Sequence, residues 1–444
     1  MSSPRRSGTI FALSTPPGKS AIAVVRISGP ESGASLQALG RRLPPPRHAS
    51  LRRLRHPGSG EPIDDALVLW LPGPGTETGE DMAELHVHGG RAVIRATLQA
   101  LGEIDGLRPA EAGEFVLRAF RNGRIDLTAA EATADLIDAE TEGQRRQAMR
   151  QASGALTALY DRWRQRIIEA QALVEAAIDF SDEGDVGKRA TTDAQAIAAV
   201  VAREMASHLA DDRRGEVMRE GFRVVIAGPP NAGKSSLLNA LARREAAIVS
   251  DEAGTTRDVI EVLLDLAGLP VVLTDTAGIR EAEGQVEREG IRRALARVRD
   301  AQLVLWLSEA TAPLSPPLEA LGVEAHRVLP VPTKADLLGP GDRPAGAISV
   351  RDGLGVEELV QEIAGRAAAM LDREEAPVMT RARHRLQIER GLQALDRFRT
   401  ADELSPELAA EELRIAAYEI GRIAGRVDVE DILDQVFSRF CIGK

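Results

Sequence analysis

The stretch GPPNAGKS, residues 228–235, places two glycines and a lysine where an apolar run, FRVVIA, gives way to an apolar-periodic run, SLLNAL. Glycines let backbone N–H groups close around phosphate oxygens, a helix N-terminus adds positive potential and a lysine neutralises charge. Asn231, Ala232, Gly233, Lys234, Ser235 and Ser236 are therefore candidates for cradling a polyphosphate, with the Ser235 hydroxyl as a Mg2+ ligand. Asp275 ends the apolar run VVLT, where its carboxylate can hold the same ion through water. Thr276 and Ala277 lead to Gly278, which can approach a γ-phosphate. Between these two segments SDEAGTTRDV supplies Ser250, Asp251, Glu252, Ala253, Gly254, Thr255 and Thr256, and either threonine can complete the Mg2+ shell.

A third element reads the base. VPTKADL ends a strand-like run with Thr333, Lys334, Ala335 and Asp336. Asp336 can accept both N–H groups of a guanine Watson–Crick edge while the Lys334 stem stacks on the ring. An adenine lacks the exocyclic 2-amino donor and leaves the carboxylate unpaired. Thr333 stands where the common pattern has Asn, and keeps a hydroxyl donor. ISVRDG offers Ser349 and Val350 backbone N–H groups to guanine O6 beside Arg351, or is a plain strand end. The elements in this order select GTP over ATP. The place after Gly278, where Ras-type switches carry a water-orienting Gln, holds Ile279, so the water must be handled from elsewhere.

These motifs need rigid elements to position them. A chain of 444 residues, 43% apolar, 28% charged and 3% aromatic, reads as two or three helix-rich domains with a core each. There is no transmembrane run, and the N-terminus lacks the features of a secretory signal, so the expected compartment is the cytoplasm. Cys441, the single cysteine, agrees with a reducing environment. A net charge of −11 argues against nonspecific coating of nucleic acid. The basic stretch at residues 41–56 is read as a local patch or a solvated Pro-rich loop and strand edge. Residues 1–120 alternate β-type runs with Gly/Pro turns and one helical run, an α+β domain. Residues 121–220 and 373–444 carry helical periodicity, and 221–372 alternate strands and helices, an α/β domain with a mostly parallel sheet. The expected arrangement is the α/β domain inserted into a helical one. Three consecutive domains with a separate C-terminal bundle is the alternative. In ELHVHGG, His86 and His88 share a strand face, as structural packing or as a metal pair without a third ligand.

TPPGKSAIAVVRISG, TGEDMAELHVHGG, GEFVLRAFRNGRIDLTAAEA, AGPPNAGKSSLLNAL, AAIVSDEAGTTRDV, DTAGIR and the final CIGK together make the chain resemble the MnmE (TrmE) family of bacterial tRNA-modification GTPases over nearly its whole length. The resemblance implies a Ras-like P-loop G domain and a folate-binding-like N-terminal domain. It implies a homodimer whose G domains meet across the nucleotide and are activated by K+, held by Asn231, Ser250, Glu252 and Thr255, with Mg2+ on Ser235 and Thr256. The residue matching the family's water-orienting glutamate is Glu287. Those matching its 5-formyltetrahydrofolate contacts are Arg26, Glu84, Arg124 and Lys444, with Cys441 near the folate pocket as a nucleophile or general base. The implied partners are tRNA and MnmG (GidA), in a heterotetramer in which FAD belongs to MnmG. The implied product carries an aminomethyl or carboxymethylaminomethyl group at C5 of the wobble uridine. The rival readings are an Era- or Der-like switch in ribosome assembly without chemistry of its own, and a folate aminomethyltransferase with a regulatory G domain.

Overall fold

The computed structural model describes residues 8–179, 184–211, 213–244, 261–275, 292, 295–313, 315–371, 378–400, 405–427, 429–438, 440 and 442–443. Two compact units result, residues 1–134 with 421–444 and residues 135–420.

The first unit is built on a six-stranded sheet of β1 (Thr9–Leu13), β2 (Ile22–Ser28), β3 (Ser50–Arg55), β4 (Pro62–Leu71), β5 (Met82–His88) and β6 (Leu107–Pro109). Its spatial order is β3-β4-β5-β2-β1-β6. Successive side chains of a strand point to opposite faces, and in β2 Ala23, Val25 and Ile27 are buried, as Ala83, Leu85 and Val87 are in β5. They pack with Leu36 and Leu39 of α1 (Ser32–Gly40) and Ala100 and Leu101 of α2 (Arg91–Gly102). The alternation leaves the intervening residues for the opposite face. Antiparallel pairing sets Arg26 directly across from Glu84 and Val24 across from His86. The edge strand β3 is rich in arginine, and Arg53 donates to both carboxylate oxygens of Asp65 at 2.8 and 2.9 Å. The basic stretch thus ends as a strand edge, charged in the way edges resist pairing with other chains.

The end of the chain belongs to this unit. Val429, Ile432, Leu433 and Phe437 share a core with Val116 and Leu117 of α3 (Glu114–Arg121) and with Leu127, the first residue of α4 (Leu127–Ile137). Gly113 lies at φ 65°, and a Cβ there would come within 2.4 Å of the Phe437 carbonyl oxygen, so only glycine fits. Further on, Ile442 bridges to Ala112, and the Ser14 hydroxyl donates to the Gly443 carbonyl at 2.9 Å.

In the second unit α5 (Glu142–Ala152), opened by a capping box between Thr141 and Gln144, precedes the long helices α6 (Ala155–Asp179) and α7 (Gly184–Leu209). Tyr160, Trp163, Ile167, Ala170 and Val174 form the buried stripe of α6, at the three- and four-residue spacing read from the sequence. The helix Ala382–Thr400 lies against α7 so closely that a Cβ at Gly391 would come within 3.2 Å of Met205 Cε. After α8 (Arg214–Glu220) comes a five-stranded sheet of β7 (Phe222–Ala227), β8 (Glu261–Leu266), β9 (Leu269–Asp275), β10 (Leu303–Glu309) and β11 (Val328–Thr333), with α9 (Lys234–Arg244) after β7. The order is β11-β10-β7-β9-β8, parallel except for the β8–β9 hairpin. β7 sits centrally and its last four residues are all buried, which explains a continuous apolar run in place of alternation. The fold class read from the sequence, α+β and α/β domains with a helical domain, is the one observed.

Candidate functional site

Ligands of open α/β sheets bind beyond the carboxyl ends of the parallel strands. Register brings the expected residues to that edge: Asp275 pairs with Ile226, Trp306 with Ala227, and Thr333 with Glu309. Beyond Ala227 the loop turns at Gly228, φ 148°, where a Cβ would come within 2.3 Å of the Leu307 carbonyl oxygen. Asn231 follows at φ 62°, a left-handed conformation that Asn tolerates better than most residues. Gly233 is at φ 92°, and a Cβ there would meet no protein atom within 4 Å, so its glycine answers to the backbone turn and not to packing.

From the first turn of α9 two side chains converge on this loop. Lys234 Nζ donates to the carbonyls of Gly228 and Pro229 at 2.9 and 2.8 Å. Burial lowers its pKa below the ordinary lysine value, against an opposing pull from Asp275. The Ser235 hydroxyl donates to Asp275 Oδ2 at 2.7 Å. A hydroxyl and a nearly buried carboxylate (Asp275 is 2% exposed) thus meet at a helix N-terminus. Two oxygen donors of this kind suit a hard cation such as Mg2+. Ser236 follows on the same turn of α9.

At the end of β11 the Thr333 hydroxyl lies 2.9 Å from the Ala232 carbonyl and 3.1 Å from that of Ser308, joining the segment that ends β11 to the loop between β7 and α9. Lys334, at φ 58°, forms an ion pair with Glu309 at the end of β10. Ala335 is fully buried, and its N–H donates to the Ile348 carbonyl at 3.0 Å. The Ser349 hydroxyl donates to Asp336 Oδ1 at 2.8 Å, and this bond foremost holds the Asp336 carboxyl below the usual carboxylate range. The Ser349 N–H is donated to the Leu354 carbonyl at 2.9 Å. Of the two N–H groups expected at guanine O6, Ser349's is therefore engaged within the turn that continues through Val350 and Arg351.

In the first unit Arg26 Nε lies 3.3 Å from Glu84 Oε1, while its NH1 lies 2.8 Å from Glu77 Oε2. Glu84 Oε2 is 3.1 Å from His86 Nε2. Arg124 is exposed, and its stem packs beside Gly79, where a Cβ would come within 3.2 Å of Arg124 Cγ. The His86 side chain is 28% exposed against Glu84, and that of His88 lies further out. His88 Nδ1 contacts Asp64 Oδ1 at 2.7 Å with 72% of its side chain exposed. Among the described residues no group of three His, Cys, Asp or Glu is placed to hold a metal ion.

Ser250, Asp251, Glu252, Ala253, Gly254, Thr255, Thr256, Thr276, Ala277, Gly278, Glu287, Cys441 and Lys444 lie outside the described residues. Sequence reasoning missed Glu309 and Glu77. The one signal for Glu309 is its place at the end of the strand-like run LVLWLSE. Glu77 carried none, since its contact with Arg26 joins the loop between β4 and β5 to β2.

The GTP-binding protein TrmE N-terminus family matches residues 9–124, and the MnmE helical domain family matches residues 127–441. A tRNA modification GTPase MnmE from Beijerinckia indica is 53% identical over 438 residues, covering 98% of this chain and 96% of that relative. One of the same description from Rhodospirillum rubrum is 50% identical over 454 residues, covering 98% and 99%. Among solved structures, the G domain of the T. maritima FeoB iron transporter is 27% identical and covers 33% of this chain and 98% of its own, with a TM-score of 0.26.

Proposed function

The chain belongs to the MnmE family of tRNA modification GTPases, and from that premise we propose that it binds GTP at the β7–α9 loop and uses its hydrolysis in modifying the wobble uridine of tRNA. The observation that carries the nucleotide reading is the Ser235–Asp275 contact at the head of α9, beside a lysine held over the same loop. In this reading Lys234 exchanges its carbonyl partners for phosphate oxygens. Backbone N–H groups from Asn231 to Ser236 surround those oxygens, and Asp336 accepts from the guanine edge. Ser235, Asp275 through water, and Thr256 would hold Mg2+, which supplies positive charge to the phosphates when bound. Asn231, Ser250, Glu252 and Thr255 would hold K+, which supplies the charge an arginine finger brings elsewhere. Glu287 orients the attacking water, the task that Ile279 cannot perform.

The finer chemistry follows the family resemblance. The reading places 5-formyltetrahydrofolate or a related folate on Arg26, Glu84, Arg124 and Lys444, with Cys441 nearby. A carboxylate that accepts N–H donors and cations for a glutamyl tail suit such a ligand. The chain acts as a homodimer with MnmG, which brings FAD. A cytoplasmic setting fits a described chain in which no helix is long and apolar enough to cross a membrane. The test is nucleoside analysis of tRNA from cells with the chain, without it, and with Ser235→Ala in its place. The expected result is loss of the aminomethyl-type wobble-uridine modification in the last two. Unchanged nucleosides in cells lacking the chain refute the tRNA reading and favour a ribosome-assembly switch.

A further inference from the structure

The folate reading gives cations to the ligand's anionic tail and a carboxylate to its ring, and on that reading the geometry around Arg26 assigns a role to a residue that no motif marks. Arg26 is already committed: its Nε faces Glu84 and its NH1 faces Glu77. A guanidinium held between two carboxylates is poorly placed to clamp a third anion, because its single positive charge already faces two negative ones. It is well placed to hold the two carboxylates side by side. Arg124 is the contrasting case. It is exposed, and no ion pair involves it among the described residues, so among the described candidates it is the cation open to an anionic tail.

Of the two carboxylates, Glu77 has more to offer a ligand. An ionised carboxylate has about four acceptor positions. Glu84 spends one oxygen on Arg26 and the other on His86, and its side chain is 19% exposed. Glu77 has one contact, through Oε2, and is 43% exposed. The loop that carries it is firmly seated. Thr76 and Thr78 on either side are 7% and 0% exposed. The Thr76 hydroxyl donates to the Glu80 carbonyl at 2.6 Å, and the Thr78 hydroxyl is 2.8 Å from that of Ser28. The Thr78 carbonyl accepts from Asn122 Nδ2 at 2.7 Å, and Arg118 pairs with Glu80 at 2.8 Å. With both neighbours turned inward, the chain presents Glu77 outward beside Arg26.

We propose that Glu77 and Glu84, bridged by Arg26, form a two-carboxylate acceptor for an N–H-rich heterocycle, with Glu77 as a specificity-determining residue that takes the exocyclic amine and Arg26 as the residue that positions both. The measurement is calorimetric affinity of the full chain for 5-formyltetrahydrofolate and for its analogue carrying a 2-methyl in place of the 2-amino group, using wild type, Glu77→Gln and Arg26→Ala. Replacing a charged acceptor by a neutral one weakens binding of the amino ligand by about tenfold or more and leaves the methyl analogue within about twofold. Arg26→Ala reduces the preference for the amino over the methyl ligand in the same direction, a readout that general damage to the sheet does not produce. Equal losses for both ligands in Glu77→Gln, or tighter binding of the amino ligand, overturn the proposal and leave Glu77 as loop support or as a competitor for Arg26. Wild type that binds neither ligand refutes the folate reading itself.

Discussion

Thr333→Val tests whether the base-reading segment and the phosphate loop work as one body. The threonine is 3% exposed, and its hydroxyl has two buried acceptors in reach, the Ala232 carbonyl at 2.9 Å and the Ser308 carbonyl at 3.1 Å. It has one proton, so it serves one acceptor at a time. Valine keeps the shape and removes the donor. A buried acceptor that loses its partner costs about 1–3 kcal/mol, and since each carbonyl keeps a second lone pair, the lower part of that range, about 1–2 kcal/mol, is expected. Ala232 lies inside the loop proposed to close on phosphates. If its order depends on this bond, the loss enters the GDP affinity as a factor of about 5–30; if not, it appears only in the unfolding midpoint. Calorimetry with GDP and thermal unfolding on the same samples separate the two, and Thr333→Ser restores both. A Thr333→Val protein with wild-type GDP affinity and midpoint would show that the hydroxyl links nothing.

Ser235→Ala removes one of the two oxygen donors at the head of α9, so GDP affinity should lose its response to Mg2+ and GTP turnover should fall by about a hundredfold or more; a retained Mg2+ response assigns the ion elsewhere. Glu287→Ala should leave GTP affinity near wild type and lower turnover in K+ by at least about a hundredfold, and undiminished K+-stimulated turnover removes Glu287 from the mechanism. Asp336→Asn exchanges a charged acceptor for an amide and should cut the preference for GDP over ADP by about 10–100-fold, read from competition binding; an unchanged ratio places guanine recognition in other groups. Burial pushes the His208 imidazole from its ordinary 6.5 down to about 4, opposed by Asp211 and helped by His384 and Arg385. A base with a depressed folded pKa costs stability as it charges, so its contribution is complete above about pH 6.5 and is lost as pH falls toward 4, by up to about 3 kcal/mol. Urea unfolding of wild type and His208→Gln over that window should show a shallower acid loss in the variant, and parallel curves would refute the assignment.

What the sequence makes legible here is what the chain keeps close together. The phosphate loop from Gly228 to Ser235 is read without coordinates because strand, turn and helix follow one another, and the apolar run of β7 announces a strand buried on both faces. The buried stripe of α6 is equally plain, since helical spacing is a local property. Contacts fixed by register are not. Arg26 and Glu84 are 58 residues apart, and only the antiparallel pairing of β2 with β5 sets them opposite each other. Lys334 and Glu309 meet because β10 and β11 run parallel with Glu309 beside Thr333. The histidines of β5 illustrate the same limit: their shared face is predictable from period two, but whether carboxylates or apolar groups meet them depends on which strands lie alongside. Residues 421–444 look like one more stretch of helix, and it is the absence of a Cβ at Gly113 and of one at Gly443, within 2.2 Å of the Leu13 carbonyl, that lets the chain end lie against the N-terminal sheet. Motif reading therefore finds the groups proposed to touch phosphate and base. The residues that hold those groups in place, such as Glu309 behind Lys334 and Glu77 beside Arg26, belong to the pairing of distant strands and loops, and it is there that members of a family with the same motifs can differ in what they bind.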